Sequence, residues 1–141
     1  MIYLIGSLRN PMIPSVAQTL SSALQEEVFS SWMASGPTGD DHWRDYERAM
    51  GRTLPEALQH YAAQHVFQFD KHHIERADTV VLIMPCGKSG FLELGWALGR
   101  GKRGYIVLDN PERWDVMMAF ADGVVETVEE LITQLTQSRS Q

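Results

Sequence analysis

The stretch from Thr79 to Gly95 reads TVVLIMPCGKSGFLELG. Its first six residues, 79–84, are all β-branched or apolar, which is typical of a strand that is buried on both faces of a parallel sheet. Pro85 ends this strand, and Ser89 is predicted to cap a helix that follows it. A buried strand leading directly into a helix is the unit from which doubly wound α/β sheets are built.

Four further apolar segments predict the remaining strands: residues 1–5 (MIYLI), 28–29, 104–108 (GYIVL) and 124–125. The segments between them carry apolar side chains at helical spacing. This alternation favours an α/β fold of the flavodoxin or Rossmann-like type. We expect a doubly wound, mostly parallel five-stranded sheet with helices on both of its faces.

Residues 33–64 do not fit the alternation of strands and helices. We predict a single domain over residues 1–141, with a helical insertion at about 33–64. Within the insertion, residues 33–44 (MASGPTGDDHWR) are rich in Gly, Asp and Pro and predict a loop. The tetrapeptide TLPE at 53–56 has the pattern of a helix cap with a capping box, so a short helix is predicted to begin there. The last six residues, TQSRSQ, are predicted to be disordered.

Composition and charge narrow the classes of partner. A formal net charge of −6 argues against a nucleic acid polymer, because a phosphate-binding face requires basic residues. The single cysteine, Cys86, leaves no intramolecular disulfide and no cysteine-based zinc site. No apolar run approaches the roughly 18 residues of a membrane span, and the first residues lack the charged start of a signal peptide. We therefore expect a cytoplasmic protein with a small-molecule partner and no membrane contact.

The familiar cofactor and metal motifs do not occur. For the Walker pattern G-x-x-x-x-G-K-[ST] to end at Gly87-Lys88-Ser89, its first glycine would fall at position 82, which is Leu82. The loop GSLRNP at residues 6–11 has no second glycine and so cannot form G-x-G-x-x-G. The four histidines between residues 60 and 73 lack the spacing of metal ligands. We predict neither a cofactor nor a metal.

Glu93 is an ionisable residue within an otherwise apolar helix. If Ser89 caps this helix, Glu93 lies near its positive end, and its neighbours Leu92, Leu94 and Trp96 are predicted to face the sheet. A surface glutamate that complements the helix dipole and a catalytic carboxylate both fit this position. Asp70 reaches the same edge of the sheet only if its own helix crosses beside Glu93, which the periodicity does not decide.

Four segments, in this order, resemble the nucleoside 2-deoxyribosyltransferase family, which includes the related deoxynucleoside 5′-monophosphate N-glycosidases. They are G-S-L-R at Gly6–Arg9, Asp70 eight residues before Asp78, the apolar strand that follows, and E-L-G-x-A at Glu93–Ala97. Together they span most of the chain, although residues 33–64 match nothing in the family.

The resemblance implies chemistry at the C1′ atom of a 2′-deoxyribose. Glu93 is implied to attack C1′ as the nucleophile, and Asp70 to contact the base and assist its protonation. The chemistry is consistent with two carboxylates, because C1′ becomes oxocarbenium-like as the base departs and a carboxylate beneath the sugar stabilises that charge. Attack by water then gives hydrolysis, and attack by a second base gives base exchange.

The loop Gly6–Arg9 resembles the G-S-[IL]-R loop that holds the 5′-phosphate in the monophosphate hydrolases. Arginine is a good bidentate partner for phosphate, and a helix N-terminus binds anions. The substrate-binding residues expected on these grounds are Gly6, Ser7, Leu8, Arg9, Gly87, Lys88, Ser89 and Gly90.

Two departures from the family pattern affect the choice of substrate. Transferases commonly carry an aspartate six residues before the glutamate, where this sequence has Gly87, and this favours hydrolysis of a deoxynucleotide. In the family a neighbouring subunit supplies a further polar group, which implies a homo-oligomer. Asp115 is the nearest polar residue to that position, and its charge would repel a 5′-phosphate. The apolar residues nearby, including Trp114 and Phe120, either form a contact patch or fill the core.

Two other functions stay open at this point. The chain is alternatively a non-catalytic nucleotide-binding sensor or interaction module that keeps the fold, or an NAD-cleaving enzyme of the TIR type. Enzymes of the TIR type also direct a glutamate at a ribosyl C1′. The match to the G-S-L-R loop argues against this alternative.

Overall fold

Five parallel strands form the centre of the structure, a computed structural model that describes residues 1–140. The strands are β1 (Ile2–Ile5), β2 (Val28–Phe29), β3 (Thr79–Ile83), β4 (Arg103–Val107) and β5 (Gly123–Val125). Their order across the sheet is β2-β1-β3-β4-β5, and every neighbouring pair is parallel. The predicted doubly wound α/β fold with a five-stranded sheet is therefore confirmed.

Helices connect the strands. They are α1 (Ile13–Leu24), α2 (Gly39–Ala49), α3 (Leu54–Leu58), α4 (Tyr61–Arg76), α5 (Lys88–Gly99) and α6 (Val128–Arg139). Two short 3-10 helices lie at Ser31–Ser35 and Val116–Phe120. None of the helices in residues 1–140 is both long and apolar enough to cross a bilayer.

The side chains of each strand alternate between two core layers. Ile2 and Leu4 face the layer that contains α1 and α6, whereas Tyr3 and Ile5 face the layer that contains α4 and α5. Every residue of β1 and of β3 is buried, as a central strand covered by helices on both faces requires.

Strands β1 and β3 lie side by side, with Ile2 opposite Thr79 and Ile5 opposite Leu82. The chain leaves β1 toward β2 and leaves β3 toward β4, so the connections diverge to opposite sides of this pair. A crevice forms at such a divergence, outside the carboxyl ends of the two strands. The loops that begin at Gly6 and at Met84 both start there.

The prediction of a loop over residues 33–44 is wrong, because α2 already begins at Gly39. Asp40 and Asp41 occupy the first turn of α2, where negative charge complements the positive end of the helix dipole. The Asp and Gly residues that suggested a loop therefore mark a helix start. The capping box at 53–56 is confirmed: Thr53 Oγ1 accepts from the Glu56 N–H at 3.4 Å, and Glu56 Oε1 accepts from the Thr53 N–H at 3.1 Å.

The start of α5 differs from the prediction. Gly87 is the N-cap and Lys88 is already helical, so Ser89 lies one residue inside the helix and does not cap it. The buried face of α5 consists of Gly90, Leu94 and Ala97. Leu94 therefore faces the sheet as predicted. The prediction for Leu92 is wrong: its side chain is 75% exposed, because a residue two positions from Leu94 points about 200° around the helix.

The carboxyl-terminal prediction also needs correction. Helix α6 continues to Arg139, so the predicted disorder from Thr136 onward is wrong for the helical residues. Arg139 forms an ion pair with Glu26, which ties the last turn of α6 to the body of the protein. Ser140 is the C-cap of α6, and Gln141 lies outside the residues that the structure describes.

Gly90 provides a test of the packing between α5 and β1. A Cβ atom at this position would collide with Cys86 Sγ and approach Ile5 Cγ2 to 3.1 Å. We expect Gly90→Ala to lower the free energy of unfolding by about 1–3 kcal/mol, as overpacked core substitutions do. Gly95→Ala in the same helix is the matched control, because its Cβ meets no atom within 4 Å. It should raise stability by about 0.5–1 kcal/mol. Urea unfolding measures both, and a Gly90→Ala variant as stable as the wild type would contradict the packing.

Candidate active site

A cleft of about 560 Å³ opens at the carboxyl ends of β1 and β3. The structure brings many of the predicted site residues together here, from loops and helices that are far apart in sequence. The predicted residues that line the cleft are Gly6, Ser7, Leu8, Arg9, Asp70, Gly87, Ser89 and Glu93.

Three of the predicted site residues do not line this cleft. Lys88 is exposed to solvent. Gly90 is buried against Cys86 and Ile5 and therefore has a packing role. Asp115 is exposed in the segment after β4, where its Oδ1 accepts from the Met117 N–H at 2.9 Å. Within a single chain Asp115 therefore caps a 3-10 helix and does not contribute to the cleft.

Glu93 and Asp70 reach the cleft from different helices. Glu93 is in the second turn of α5 and Asp70 is in α4, so α4 does cross beside the edge that Glu93 occupies. Beneath them lies Tyr3 of β1, which is 1% exposed and whose hydroxyl interacts with the Glu93 carboxylate. The Tyr3 ring stacks on Phe29 of β2 with the ring centres 5.3 Å apart. The core thus holds a polar group directly under the carboxylate.

Burial raises the pKa of both carboxyl groups toward neutral pH. The pKa of Glu93 is raised to about 7: removal from water is the largest cause, the interaction with Tyr3 opposes the shift, and the negative charge of Asp70 adds to it. Desolvation alone raises the pKa of Asp70 to about 6. A glutamate that merely complements the helix dipole would be exposed, with no raised pKa. The placement of Glu93 is that of a cleft carboxylate.

The cysteine near the site is a poor nucleophile in this environment. Burial, followed by the negative charge of Glu93, raises the pKa of the Cys86 thiol to about 11. The group is therefore a neutral thiol at physiological pH. Its contact with the backbone of α5 at Gly90 indicates a packing role.

The loop after β1 and the start of α5 contribute polar groups to the cleft that suit an anion or a hydroxyl group. Ser7 Oγ accepts from the backbone N–H of Arg9 at 3.1 Å, which holds the loop after β1 in a turn. The Arg9 side chain is 70% exposed and lines the cleft. The N-cap residue Gly87 has no side chain to cap α5, and the backbone N–H of Gly90 interacts with Cys86, so the N–H groups of Lys88 and Ser89 are the ones suited to a ligand.

Several lining residues escaped the sequence analysis. Trp32 was missed because it belongs to no motif; its Nε1 donates to the Leu4 carbonyl at 2.8 Å, and this bond fixes the indole at the cleft. His65, Val66 and Phe69 were missed although they carry a signal. With Asp70 they occupy positions i, i+1, i+4 and i+5 of α4, which is one face of a helix. The further lining residues are Tyr3, Ser31, Ser35, Pro37 and Asp40.

Within residues 1–140, no group of three or more His, Cys, Asp or Glu side chains is arranged to hold a metal ion. No protein-family model matches the sequence, and no curated protein is significantly similar to it.

The opposing influences on Glu93 predict shifts of opposite sign. Tyr3→Phe removes a group that favours the ionised carboxylate, so the pKa of Glu93 should rise. Asp70→Asn removes a neighbouring negative charge, so the pKa of Glu93 should fall. Carbon-13 NMR titration of the glutamate carboxyl carbons measures both. Tyr105→Phe makes the same chemical change on the opposite face of the sheet and should leave Glu93 unchanged. Shifts of the same sign in the Tyr3 and Asp70 variants would contradict this arrangement.

Proposed function

We propose that the chain cleaves the N-glycosidic bond of a nucleoside or deoxynucleoside, or of its 5′-monophosphate, with Glu93 as the nucleophile. The observation that carries the proposal is the convergence of Glu93 and Asp70 in one cleft, from two helices, each with a pKa raised toward neutrality. Perturbed carboxyl groups in a cleft are typical of catalytic sites. The resemblance to the nucleoside 2-deoxyribosyltransferase family supports the same pair.

In the proposed reaction, a carboxylate oxygen of Glu93 forms a bond to C1′ while the bond from C1′ to the base nitrogen breaks. The electron pair of the broken bond goes to the base, which takes a proton from Asp70. Water then attacks C1′ and displaces Glu93, and its proton returns to a carboxylate of the site. This is the two-step scheme of a retaining glycosidase, in which one acidic group is the nucleophile and the other assists departure.

The lining of the cleft supports a planar base at one end. Trp32, Val66 and Phe69 supply apolar surface against which an aromatic base can stack. Asp70 and His65 lie beside this surface on α4 and offer groups for the polar edge of the base. We assign the Arg9 loop, which also lines the cleft, to the 5′ substituent of the sugar. Because Gly87 occurs where the transferases commonly have an aspartate, the proposal favours hydrolysis over base exchange.

The proposal includes a homo-oligomer. Trp114, Val116, Met117 and Phe120 are between 65% and 90% exposed in the segment after β4. Four large apolar side chains in one exposed segment are unusual on a monomer and suit a protein contact. The segment also carries Asp115, so contact with a second copy would give that residue a route to the partner's cleft. We further propose a cytoplasmic location, since a reducing compartment suits a chain with one free cysteine.

The two carboxyl groups predict a bell-shaped pH dependence. The proposed reaction requires one proton on the pair: with two protons there is no nucleophile, and with none there is no acid. The raised pKa values, about 6 for Asp70 and about 7 for Glu93, place this singly protonated state between pH 6 and pH 7. Because Glu93 has the higher pKa, most of this state carries its proton on Glu93, and the reaction proceeds from the smaller fraction in which the proton is on Asp70. The value of kcat/KM for base release should be highest in that range and fall on both sides. Activity that rises steadily above pH 8 would contradict the assignment.

The decisive experiment is base release, followed by chromatography. The substrates are ribonucleosides, deoxynucleosides, their 5′-monophosphates and NAD, each with and without a free acceptor base. We expect release in water alone, and Glu93→Gln should lower it at least about a thousandfold, since removal of a covalent nucleophile has effects of that order. Glu129→Gln is the matched control: the same change of charge occurs on α6, in the layer on the other face of the sheet.

The other results of this experiment separate the alternatives. Release only with an acceptor base would identify a transferase, and release of nicotinamide from NAD would identify an enzyme of the TIR type. Tight binding of a nucleotide without release would identify a non-catalytic module. A Glu93→Gln variant that is folded by circular dichroism and fully active would overturn the proposed mechanism.

A further inference from the structure

Arg9 already has a carboxylate partner in the free cleft. Its Nη2 lies 3.4 Å from Asp41 Oδ2, although 32 residues separate the two in sequence. Asp41 belongs to the first turn of α2, which places this helix against the loop after β1. Asp41 therefore partly neutralises the positive charge of the Arg9 guanidinium, the group that would hold a 5′ substituent.

Asp41 is held in this position from its other side. Its second oxygen, Oδ1, lies 3.4 Å from Arg44 Nη1, one turn further along α2. Arg44 is itself oriented by Asp45, whose Oδ1 accepts from Arg44 Nε at 3.0 Å. Next to Asp41 in the chain, Asp40 lines the cleft. The mouth of the cleft therefore carries two carboxylates from the start of α2 beside a single arginine from the loop.

We propose that Asp41 is a specificity-determining residue that weakens the binding of a 5′-phosphate at Arg9. A phosphate monoester that contacts Arg9 either displaces Asp41 or comes close to its negative charge, whereas a 5′-hydroxyl group meets neither cost. The cleft thus favours unphosphorylated nucleosides more than its Arg9 loop alone would predict. The inference rests on the proposed function for the placement of the sugar between Glu93 and Arg9.

The size of the effect follows from the exposure of the pair. Asp41 is 36% exposed and Arg9 is 70% exposed, so water screens the attraction and phosphate is not excluded outright. A like charge a few ångströms from a partly solvated phosphate lowers its affinity by about three- to tenfold. Asp41 therefore adjusts the preference between two classes of substrate.

Asp41→Asn tests the inference directly. The probes are 2-deoxyribose 5-phosphate, inorganic phosphate and neutral 2-deoxyribose, and the dissociation constants come from NMR titration of the wild type and the variant. We expect both phosphate probes to bind about three- to tenfold more tightly to Asp41→Asn, with no change for 2-deoxyribose. Glu129→Gln, with the same loss of one negative charge, should bind all three probes as the wild type does. In an Arg9→Gln background, the additional Asp41→Asn change should give a smaller gain, because Asp41 then no longer competes for the guanidinium and only the repulsion between like charges is relieved.

Unchanged or weaker phosphate binding by Asp41→Asn would overturn the inference, as would an equal gain in Glu129→Gln. A gain for inorganic phosphate without one for the sugar phosphate would also overturn it, because the sugar would then not dock beside Arg9. If neither the wild type nor Asp41→Asn binds phosphate, the inference is overturned as well. The titration requires no base release. A chain that binds as expected but releases no base refutes the proposed function and leaves the role of Asp41 intact.

Discussion

The pairing of β1 with β3 is the constraint on which the rest of the structure depends. Both strands are completely buried, and their register, from Ile2 opposite Thr79 to Ile5 opposite Leu82, brings their carboxyl ends to one edge of the sheet. The cleft exists because the chain leaves this pair in opposite directions. A slip of one residue would turn every side chain of β1 to the other face, so that Tyr3 would no longer lie beneath Glu93.

The two cleft carboxylates, Glu93 and Asp70, lower the stability of the folded protein when they are ionised. Desolvation disfavours the ionised form of each group, and for Glu93 the charge of Asp70 adds to that cost. Among residues 1–140, the interaction with Tyr3 is the one that favours the ionised form of Glu93. Departures from the rules of stability occur mainly at functional sites, and the pair is therefore consistent with the proposed function. The rest of the sheet follows the rules closely, with continuous apolar strands and two well-separated core layers.

The sequence predicted what depends on short-range pattern. The apolar run at 79–84 and its neighbours specified the strands, and the TLPE pattern specified the start of α3, because these signals arise within a few residues. Two of the predictions that were wrong concern residue types that suit more than one structure: Asp and Gly near 39 suited both a loop and a helix start. Ser89 fitted a cap in composition, but Gly87 adopted the capping conformation. The cleft wall at Trp32 and the Arg9–Asp41 contact depend on the tertiary fold, and no local pattern contains them.

Tyr3 has a double position, since its ring stacks on Phe29 inside the core while its hydroxyl meets the carboxylate of the cleft. We therefore expect substitutions at residue 29 to change the tilt of the tyrosine ring and, through it, the orientation of Glu93, although residue 29 does not line the cleft. Strand β2 is at the edge of the sheet and only two residues long. Among related sequences, we expect the residues at positions 3 and 29 to vary together. A change in the core at this pair would then also be a change in the cleft.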